Sequence, residues 1–193
     1  MDEPGQDSDE ILMGRIKSGD HAAFAVLVRR HTDRFYAAAY RLCGRADEAE
    51  DIVQDAFLKL WNKPDVYDPA RGAKFTTWFY RVVTNLTLDR MRRHKKQHGS
   101  DVLELMPDKS AGADEVMVTT EEQKSLEAAI RALPERQRVA LNLCFYEGLS
   151  NKEAADILGV GVKGLESLLM RAKAGVRDAL TRQGFIHREK EYG

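Results

Sequence analysis

The feature that most constrains the fold of this chain is a short predicted helix that ends at a glycine and is followed directly by a second helix. Ser150 and Glu153 have the spacing of a capping box, which begins a helix. Gly159 is placed to end that helix, because glycine adopts positive φ without steric cost. Ala155 is small enough to let a second helix cross closely. The pattern predicts a helix-turn-helix, although any hairpin of two helices could use the same residue types.

Apolar residues on both sides of Gly159 predict which faces of the two helices pack together. The inner positions are Ala154, Ala155 and Leu158 in the first helix and Leu165, Leu169 and Ala172 in the second. The outward face of the second helix then carries Lys163, Ser167, Met170 and Arg171. Hydrogen-bond donors on such a face can reach base edges in the major groove of duplex DNA.

An aromatic cluster runs directly into a basic stretch within residues 75–96. One side of the predicted helix carries Phe75, Trp78, Phe79, Val82, Val83 and Leu86, and the other carries Arg81, Asn85, Leu88 and Arg92. Aromatic rings beside cations are what a protein needs to hold unstacked bases. An amphipathic helix with buried aromatic side chains and solvated charges has the same pattern, so this segment alone leaves both interpretations open.

The net charge of -1 hides an uneven distribution of charge along the chain. Residues 71–96 contain eight Lys or Arg and one Asp, and residues 163–188 contain six Lys or Arg and two acidic residues. Residues 98–122 contain seven acidic residues and one Lys. The two basic segments are therefore candidate phosphate-binding surfaces, and the acidic segment is typical of a solvated linker.

Helical periodicity without strand patterns predicts an all-α fold of two small helical domains joined by a flexible acidic linker. Residues 1–10 are expected to form a disordered acidic N-terminus, 11–97 the first domain and 98–120 the linker. Residues 121–183 are expected to form the second domain, and 184–193 a C-terminal tail.

The first domain is expected to contain one continuous helical pattern from Ile11 to Cys43, a helix from Asp47, and a loop at 62–74, where Pro and Gly residues accumulate. The aromatic and basic helix follows and is expected to end near His94. In the second domain, Phe145 is expected to continue the core begun by earlier apolar residues.

The cysteines and histidines argue against a catalytic or metal-binding chain. Cys43 and Cys144 lie singly in apolar patterns, which predicts two buried thiols in a reducing cytoplasm, with redox sensing as the alternative. The histidines are scattered, and neither a Ser/His/Asp set nor a phosphate-binding loop is present. We expect no enzymatic activity, no cofactor, no metal and no insertion into a membrane.

Four motifs follow one another in a specific order. They are Asp51-Ile-Val-Gln54-Asp55 ahead of Phe57 and Trp61, the aromatic and basic segment with Trp78 and Asn85, Ala132-Leu-Pro134-Glu135-Arg-Gln137-Arg, and Glu147-Gly148-Leu149-Ser150 before the helix-turn-helix. Each motif alone is weak, but the ordered set is specific. Over about residues 23–180 the chain resembles the extracytoplasmic-function sigma factors, compact specificity subunits of bacterial RNA polymerase.

The resemblance implies a protein that directs polymerase core to promoters and starts strand separation. Its partners would be the clamp and flap regions of the core, promoter DNA and an anti-sigma factor. The implied polymerase-binding residues are Asp51, Gln54 and Asp55. The -10 element would be bound and melted by Trp78, Arg81, Asn85, Arg92 and Arg93, with the loop at 62–74 completing a pocket for a separated base. The implied -35 contacts are Lys163, Ser167, Arg171 and Lys173.

Three positions depart from the family pattern. Gly164, Glu166 and Leu168 stand where the family usually carries a hydroxyl residue, a basic residue and an arginine, so the recognition helix is less cationic than usual. Two other functions remain open: a stand-alone helix-turn-helix regulator of duplex DNA, and a degenerate sigma-like decoy for an anti-sigma factor. The acidic linker either threads through the polymerase's RNA path or is a solvated tether.

Overall fold

The computed structural model describes residues 7–98 and 121–185. Within these ranges the chain forms helices, turns and bends, and no β-strand. The chain divides into two compact units, Met1–Asp108 and Lys109–Gly193. The prediction of an all-α fold is therefore confirmed. The predicted linker beyond residue 98, most of the acidic N-terminus and most of the C-terminal tail lie outside the described residues.

Within residues 7–98 the first unit contains four α-helices, and the second of them is central. They are α1 (Asp9–Lys17), α2 (His21–Cys43), α3 (Ala46–Asn62) and α4 (Phe75–His98). Helix α2 packs against the other three, and α3 also packs against α4. The predicted loop between α3 and α4 contains two single turns of 3-10 helix, Pro64–Val66 and Pro69–Arg71. The pairing of α3 with α4 determines where the candidate functional residues lie.

The N-terminal boundary differs from the sequence prediction. Helix α1 begins at Asp9, so the last two residues assigned to a disordered N-terminus are helical. The side chain of Ser8 accepts a hydrogen bond from the Ile11 amide, which satisfies one of the free amides at the start of the helix. The helix therefore begins at this cap, two residues before Ile11, where the apolar pattern begins.

The predicted continuous helix from Ile11 to Cys43 is interrupted between Lys17 and His21. Gly19 adopts a φ of 84°, a left-handed conformation that ends α1. The Asp20 carboxylate then accepts hydrogen bonds from two amides in the first turn of α2. These hydrogen bonds, together with the one from Arg15, lower the pKa of Asp20. The chain thus turns back on itself at a position that apolar periodicity does not reveal.

Phe35 of α2 joins α3 and α4 through an aromatic core. Its fully buried ring lies 4.6 Å from the Phe79 ring, 4.9 Å from the Tyr80 ring and 6.5 Å from the Phe57 ring. Arg34 donates a hydrogen bond to the Tyr80 hydroxyl at 2.5 Å. Burial of each such ring contributes about 1.5–3 kcal/mol, so this core holds α4 firmly against α2 and α3.

The buried side of α4 differs in part from the predicted one. Leu88, expected on the free side with Arg81 and Asn85, is buried, whereas Val82 and Leu86 are only half-buried. Because an α-helix has 3.6 residues per turn, a long buried stripe drifts around it. Helix α4 contacts both α2 and α3, so the stripe widens to include Leu88. The helix also continues to His98, beyond the expected end near His94.

The second unit contains α5 (Glu121–Arg131), α6 (Glu135–Leu141), α7 (Asn151–Leu158) and α8 (Val162–Arg182). The predicted capping box is present: the Ser150 side chain accepts from the Glu153 amide, and the Glu153 carboxylate accepts from the Ser150 amide. Gly159 ends α7 with a φ of 63°. Helices α7 and α8 pack together, with Ala155 and Leu165 buried. The predicted helix-turn-helix is confirmed.

The core prediction for Phe145 is wrong. Residues Asn142–Tyr146 form a π-helical turn, which contains one more residue than an α-helical turn. The extra residue changes the direction of the following side chains, so Leu143 is buried while Phe145 is 57% exposed. Tyr146 is exposed as well.

The two cysteines differ in burial. Cys43 is buried, as expected, and burial raises the pKa of its thiol to about 11. Cys144 is only half-buried, although burial also raises the pKa of its thiol. The prediction of two buried thiols therefore holds for Cys43 alone. Neither environment favours the thiolate, the nucleophilic form of cysteine.

Candidate functional site

The predicted polymerase-binding residues lie together on the exposed side of α3. Asp51, Gln54 and Asp55 are all exposed, and the side chains of the two aspartates are each 57% accessible. Leu58, one turn after Gln54, is 56% exposed. We call these four residues the α3 acidic surface. Leu58 was not predicted for this surface, although its spacing of four from Gln54 indicates that it shares this face.

Arg90 of α4 reaches across to the α3 acidic surface. Its Nη2 lies 2.8 Å from Asp51 Oδ2, and its Nη1 lies 3.8 Å from Asp55 Oδ2. Helical periodicity does not predict this role of Arg90, because the contact joins residues 39 positions apart.

A groove of about 410 Å³ runs between α3 and α4 beside these contacts. It is lined by Arg45, Asp47, Glu48, Asp51, Ile52, Asp55, Leu86, Asp89, Arg90, Arg93 and His94. The hydrogen bond from Arg45 lowers the pKa of the Asp47 carboxyl group, so this carboxylate remains ionised over a wider acidic range. The groove therefore combines both signs of charge.

Trp78 contacts the segment that was predicted as a loop. Its half-buried ring lies 5.4 Å from the Tyr67 ring, 6.0 Å from the Phe75 ring and 5.9 Å from the Phe79 ring. Tyr67 donates a hydrogen bond to the Ala73 carbonyl at 3.2 Å, across the second 3-10 turn. The structure thus brings Trp78 and the loop together, with Tyr67 as the connecting side chain. Tyr67 was not among the residues predicted for this site.

Three of the predicted -10 residues follow Trp78 along one face of α4. Arg81, Asn85 and Arg92 are spaced by four and seven residues, and all three are exposed. Arg92 also lies 3.8 Å from Asp89, an ion pair that is half open to solvent. Arg93 is different, because eight residues separate it from Asn85 and turn its side chain by about 80°. It lines the groove beside α3 instead.

Lys163, Ser167 and Arg171 follow one another at spacings of four on α8. Lys163 and Arg171 are exposed, and the half-buried Ser167 donates its hydroxyl to the Lys163 carbonyl at 3.0 Å. Met170, between them, is 67% exposed. The structure therefore brings three of the four predicted -35 residues to one surface, which we call the α8 face.

Lys173 does not join the α8 face. Two residues after Arg171 it points about 160° away around the helix, and its Nζ lies 4.8 Å from the centre of the Phe145 ring. There it lines a second groove, of about 340 Å³, whose walls are Leu126, Ile130, Leu141, Phe145, Tyr146, Lys173, Val176, Arg177 and Leu180. We call this the apolar groove of the second unit.

Two further classes of site are absent from residues 7–98 and 121–185. No three His, Cys, Asp or Glu side chains in these ranges are grouped so that they could hold a metal ion. No helix there has the length and apolar character needed to cross a membrane.

Comparison with protein families gives two matches in sequence order. Residues 27–97 match the family described as Sigma-70 region 2, and residues 123–174 match Sigma-70, region 4. The first match covers α3 and nearly all of α4, and the second covers α7 and the first part of α8.

Individual proteins are similar in sequence to this chain over most of its length. The extracytoplasmic-function (ECF) RNA polymerase sigma factor SigW of Bacillus subtilis is 32% identical, covering 86% of this chain and 93% of the relative. The ECF RNA polymerase sigma-E factor of Escherichia coli is 30% identical, covering 88% and 92%.

Solved structures show the same fold. CnrH in complex with the cytosolic domain of CnrY is 28% identical, with a TM-score of 0.67 over 91% of this chain and 99% of that one. The sigma factor RpoE from Bartonella quintana, solved with the anti-sigma factor NepR, has a TM-score of 0.66, covering 82% and 96%, at 24% identity. With both sigma regions in order and near full-length relatives at 30% identity or more, the chain belongs to the extracytoplasmic-function family of RNA polymerase sigma factors.

Proposed function

We propose that this protein directs bacterial RNA polymerase core to specific promoters and starts strand separation there. It acts in this proposal as a binding subunit in the cytoplasm, without catalysis of its own. The observation that carries the proposal is the pairing of α3 with α4 in the first unit. That pairing puts an exposed acidic surface beside a helix with a half-buried tryptophan and a cationic face. A stand-alone regulator of duplex DNA needs neither feature.

The α3 acidic surface is the proposed contact with the polymerase clamp. Its carboxylates suit cationic or amide partners, and the exposed Leu58 adds apolar area that a bound partner would remove from water. Charged groups at the edge of such a contact increase the association rate and the specificity more than the affinity.

The -10 element is proposed to meet α4 at Trp78, Arg81, Asn85 and Arg92. Unstacking a base costs a few kcal/mol, and stacking on an aromatic side chain returns about 1–3 kcal/mol per base. Arginines along the same face bind phosphates and position the strand without reading its sequence. Arg93 lines the groove beside α3. In this proposal it therefore contacts only the phosphate backbone or a polymerase residue next to that groove.

The α8 face is proposed to read the -35 element in the major groove. Arg171→Ala should weaken binding to duplex promoter DNA by about 1–3 kcal/mol and relax the preference at one base pair, if Arg171 forms a bidentate contact with a guanine. Binding to a set of -35 variants by fluorescence anisotropy measures both effects. Lys173→Ala is the control, since Lys173 lies away from this face. A uniform loss across all sequences would make Arg171 a phosphate contact.

The apolar groove of the second unit is the proposed contact for the polymerase flap. Phe145 and Tyr146 are exposed there, and the Lys173 ammonium group lies over the Phe145 ring. Phe145→Ala is expected to reduce the affinity for an isolated flap fragment about tenfold, a typical effect of removing an aromatic anchor. Met170→Ala removes an exposed apolar side chain from the α8 face and should have no effect. Equal effects of both variants would exclude the groove.

Reconstitution tests the function as a whole. Purified chain and polymerase core should co-elute and give run-off transcripts from a promoter selected from genomic DNA, whereas core alone should not. Binding of promoter DNA without core, and no co-elution, would favour the stand-alone regulator.

An anti-sigma factor is proposed as a further partner, since the similar CnrH and RpoE were solved in complexes with CnrY and NepR. Purification from unstressed cells should therefore retain a small inhibitory protein, and a chain that is free and fully active in every condition would contradict this.

A further inference from the structure

We propose that Arg90 is a positioning residue that holds Asp51 and Asp55 in the orientation in which they bind polymerase core. The inference rests on the proposed polymerase contact of the α3 acidic surface. Arg90 itself belongs to α4, the helix proposed to hold the -10 element, and its guanidinium group extends to the neighbouring α3. No polymerase contact is required of Arg90 in this role.

The geometry of the contact is that of one cation shared by two anions. Nη2 of Arg90 lies 2.8 Å from Asp51 Oδ2, and Nη1 lies 3.8 Å from Asp55 Oδ2. Asp51 and Asp55 are four residues apart on α3, a spacing at which like charges repel. A guanidinium group is planar and carries donors on separate nitrogens, so it can approach two carboxylates at once.

The contact leaves part of each carboxylate open to a partner. Arg90 engages Oδ2 on both aspartates, and each side chain is still 57% exposed. Each carboxylate therefore keeps accessible surface while its Oδ2 lies in contact with Arg90. A polymerase cation or amide can approach this exposed part of the carboxylate while Arg90 remains in place.

The neighbouring charges of the groove have other contacts. Arg45 lies 3.0 Å from Asp47, and His94 lies 3.5 Å from Glu48. Among the ion pairs of the described residues, Arg90 is thus the cation that directly contacts Asp51 and Asp55, the two aspartates proposed to bind polymerase. Without it, both aspartates would carry unscreened like charge and would lose rotamer freedom when polymerase binds, which weakens association.

The first test is the affinity of the full chain for polymerase core in the absence of DNA. Arg90→Ala is expected to weaken it about tenfold, equivalent to about 1.4 kcal/mol. Arg45→Ala is the matched control, because Arg45 lines the same groove, forms an ion pair and has a side chain 38% exposed against 36% for Arg90. It should leave the affinity unchanged. Arg90→Lys keeps the charge but has a single ammonium group, so it should restore only part of the affinity.

A double-mutant cycle separates positioning from simple stabilisation. If Arg90 acts through the aspartates, Arg90→Ala should cause little further loss in a chain that already carries Asp51→Asn and Asp55→Asn. A full additional tenfold loss would overturn the positioning role. So would equal affinities of Arg90→Ala and Arg45→Ala. Thermal unfolding of each variant checks the fold. If the loss of affinity in both Arg90→Lys and Arg90→Ala simply follows a lowered Tm, the positioning role is also overturned.

The same cycle distinguishes failure of this inference from failure of the proposed function. If Asp51→Asn with Asp55→Asn leaves the affinity for core unchanged, the α3 acidic surface does not bind polymerase and both proposals fall. If these substitutions weaken binding while Arg90→Ala does not, the polymerase contact stands and the inference about Arg90 is wrong.

Discussion

Asp55→Lys is expected to abolish binding to polymerase core, with a loss of more than about 100-fold, while the helical content stays unchanged. A like-charge contact across an interface costs several kcal/mol, and a cation on the α3 acidic surface would meet the partner groups that suit a carboxylate. The substitution should be tolerated by the fold because the side chain is 57% exposed. Exposed sites away from buried networks usually change stability by less than about 0.5 kcal/mol.

The measurement is co-elution and equilibrium binding with core, accompanied by circular dichroism. Asp65→Lys is the matched control, since Asp65 is an exposed carboxylate of the same unit on the 3-10 turn after α3, at 3.8 Å from Lys17. It should bind core normally. Unaltered affinity of Asp55→Lys would refute the assignment of the α3 acidic surface to polymerase.

Trp78→Ala is expected to block strand opening while leaving recognition of duplex promoter intact. The ring is half-buried against Tyr67, Phe75 and Phe79, so part of it can still form a wall of a base pocket. Removing it takes away stacking worth about 1–3 kcal/mol for a captured base. Permanganate reactivity of unpaired thymines should disappear, and a promoter with a preformed bubble should restore transcription.

Phe79→Ala provides the comparison for loss of the core. Phe79 is fully buried and packs on the Phe35 and Phe57 rings, so its removal should cost the first unit about 3–5 kcal/mol and lower every activity together. If Trp78→Ala lowers the melting temperature as much as Phe79→Ala does, and a preformed bubble gives no rescue, Trp78 is a core residue only. The two variants therefore separate a base pocket from plain packing.

Local patterns predicted the elements of the fold and much of the candidate site. The Ser150 and Glu153 capping box, the turn at Gly159 and the acidic residues on the outer face of α3 all depend on spacings of three or four residues. The same rule brought Lys163, Ser167 and Arg171 to one surface. Such features lie within one helix or one turn, so helical geometry fixes them before any tertiary contact forms.

The sequence by itself thus determined the all-α class, the helix-turn-helix and the exposed face of α3. Only the tertiary structure decided that Arg90 meets Asp51 and Asp55, that Tyr67 lies against Trp78, and that Arg93 and Lys173 turn away from their predicted surfaces. It also decided the exposure of Phe145, through a π-helical turn that no periodicity revealed. The physical reason is that periodicity gives the direction of a side chain around its own helix, whereas contacts between helices depend on crossing angle, register and the path of the connecting turns.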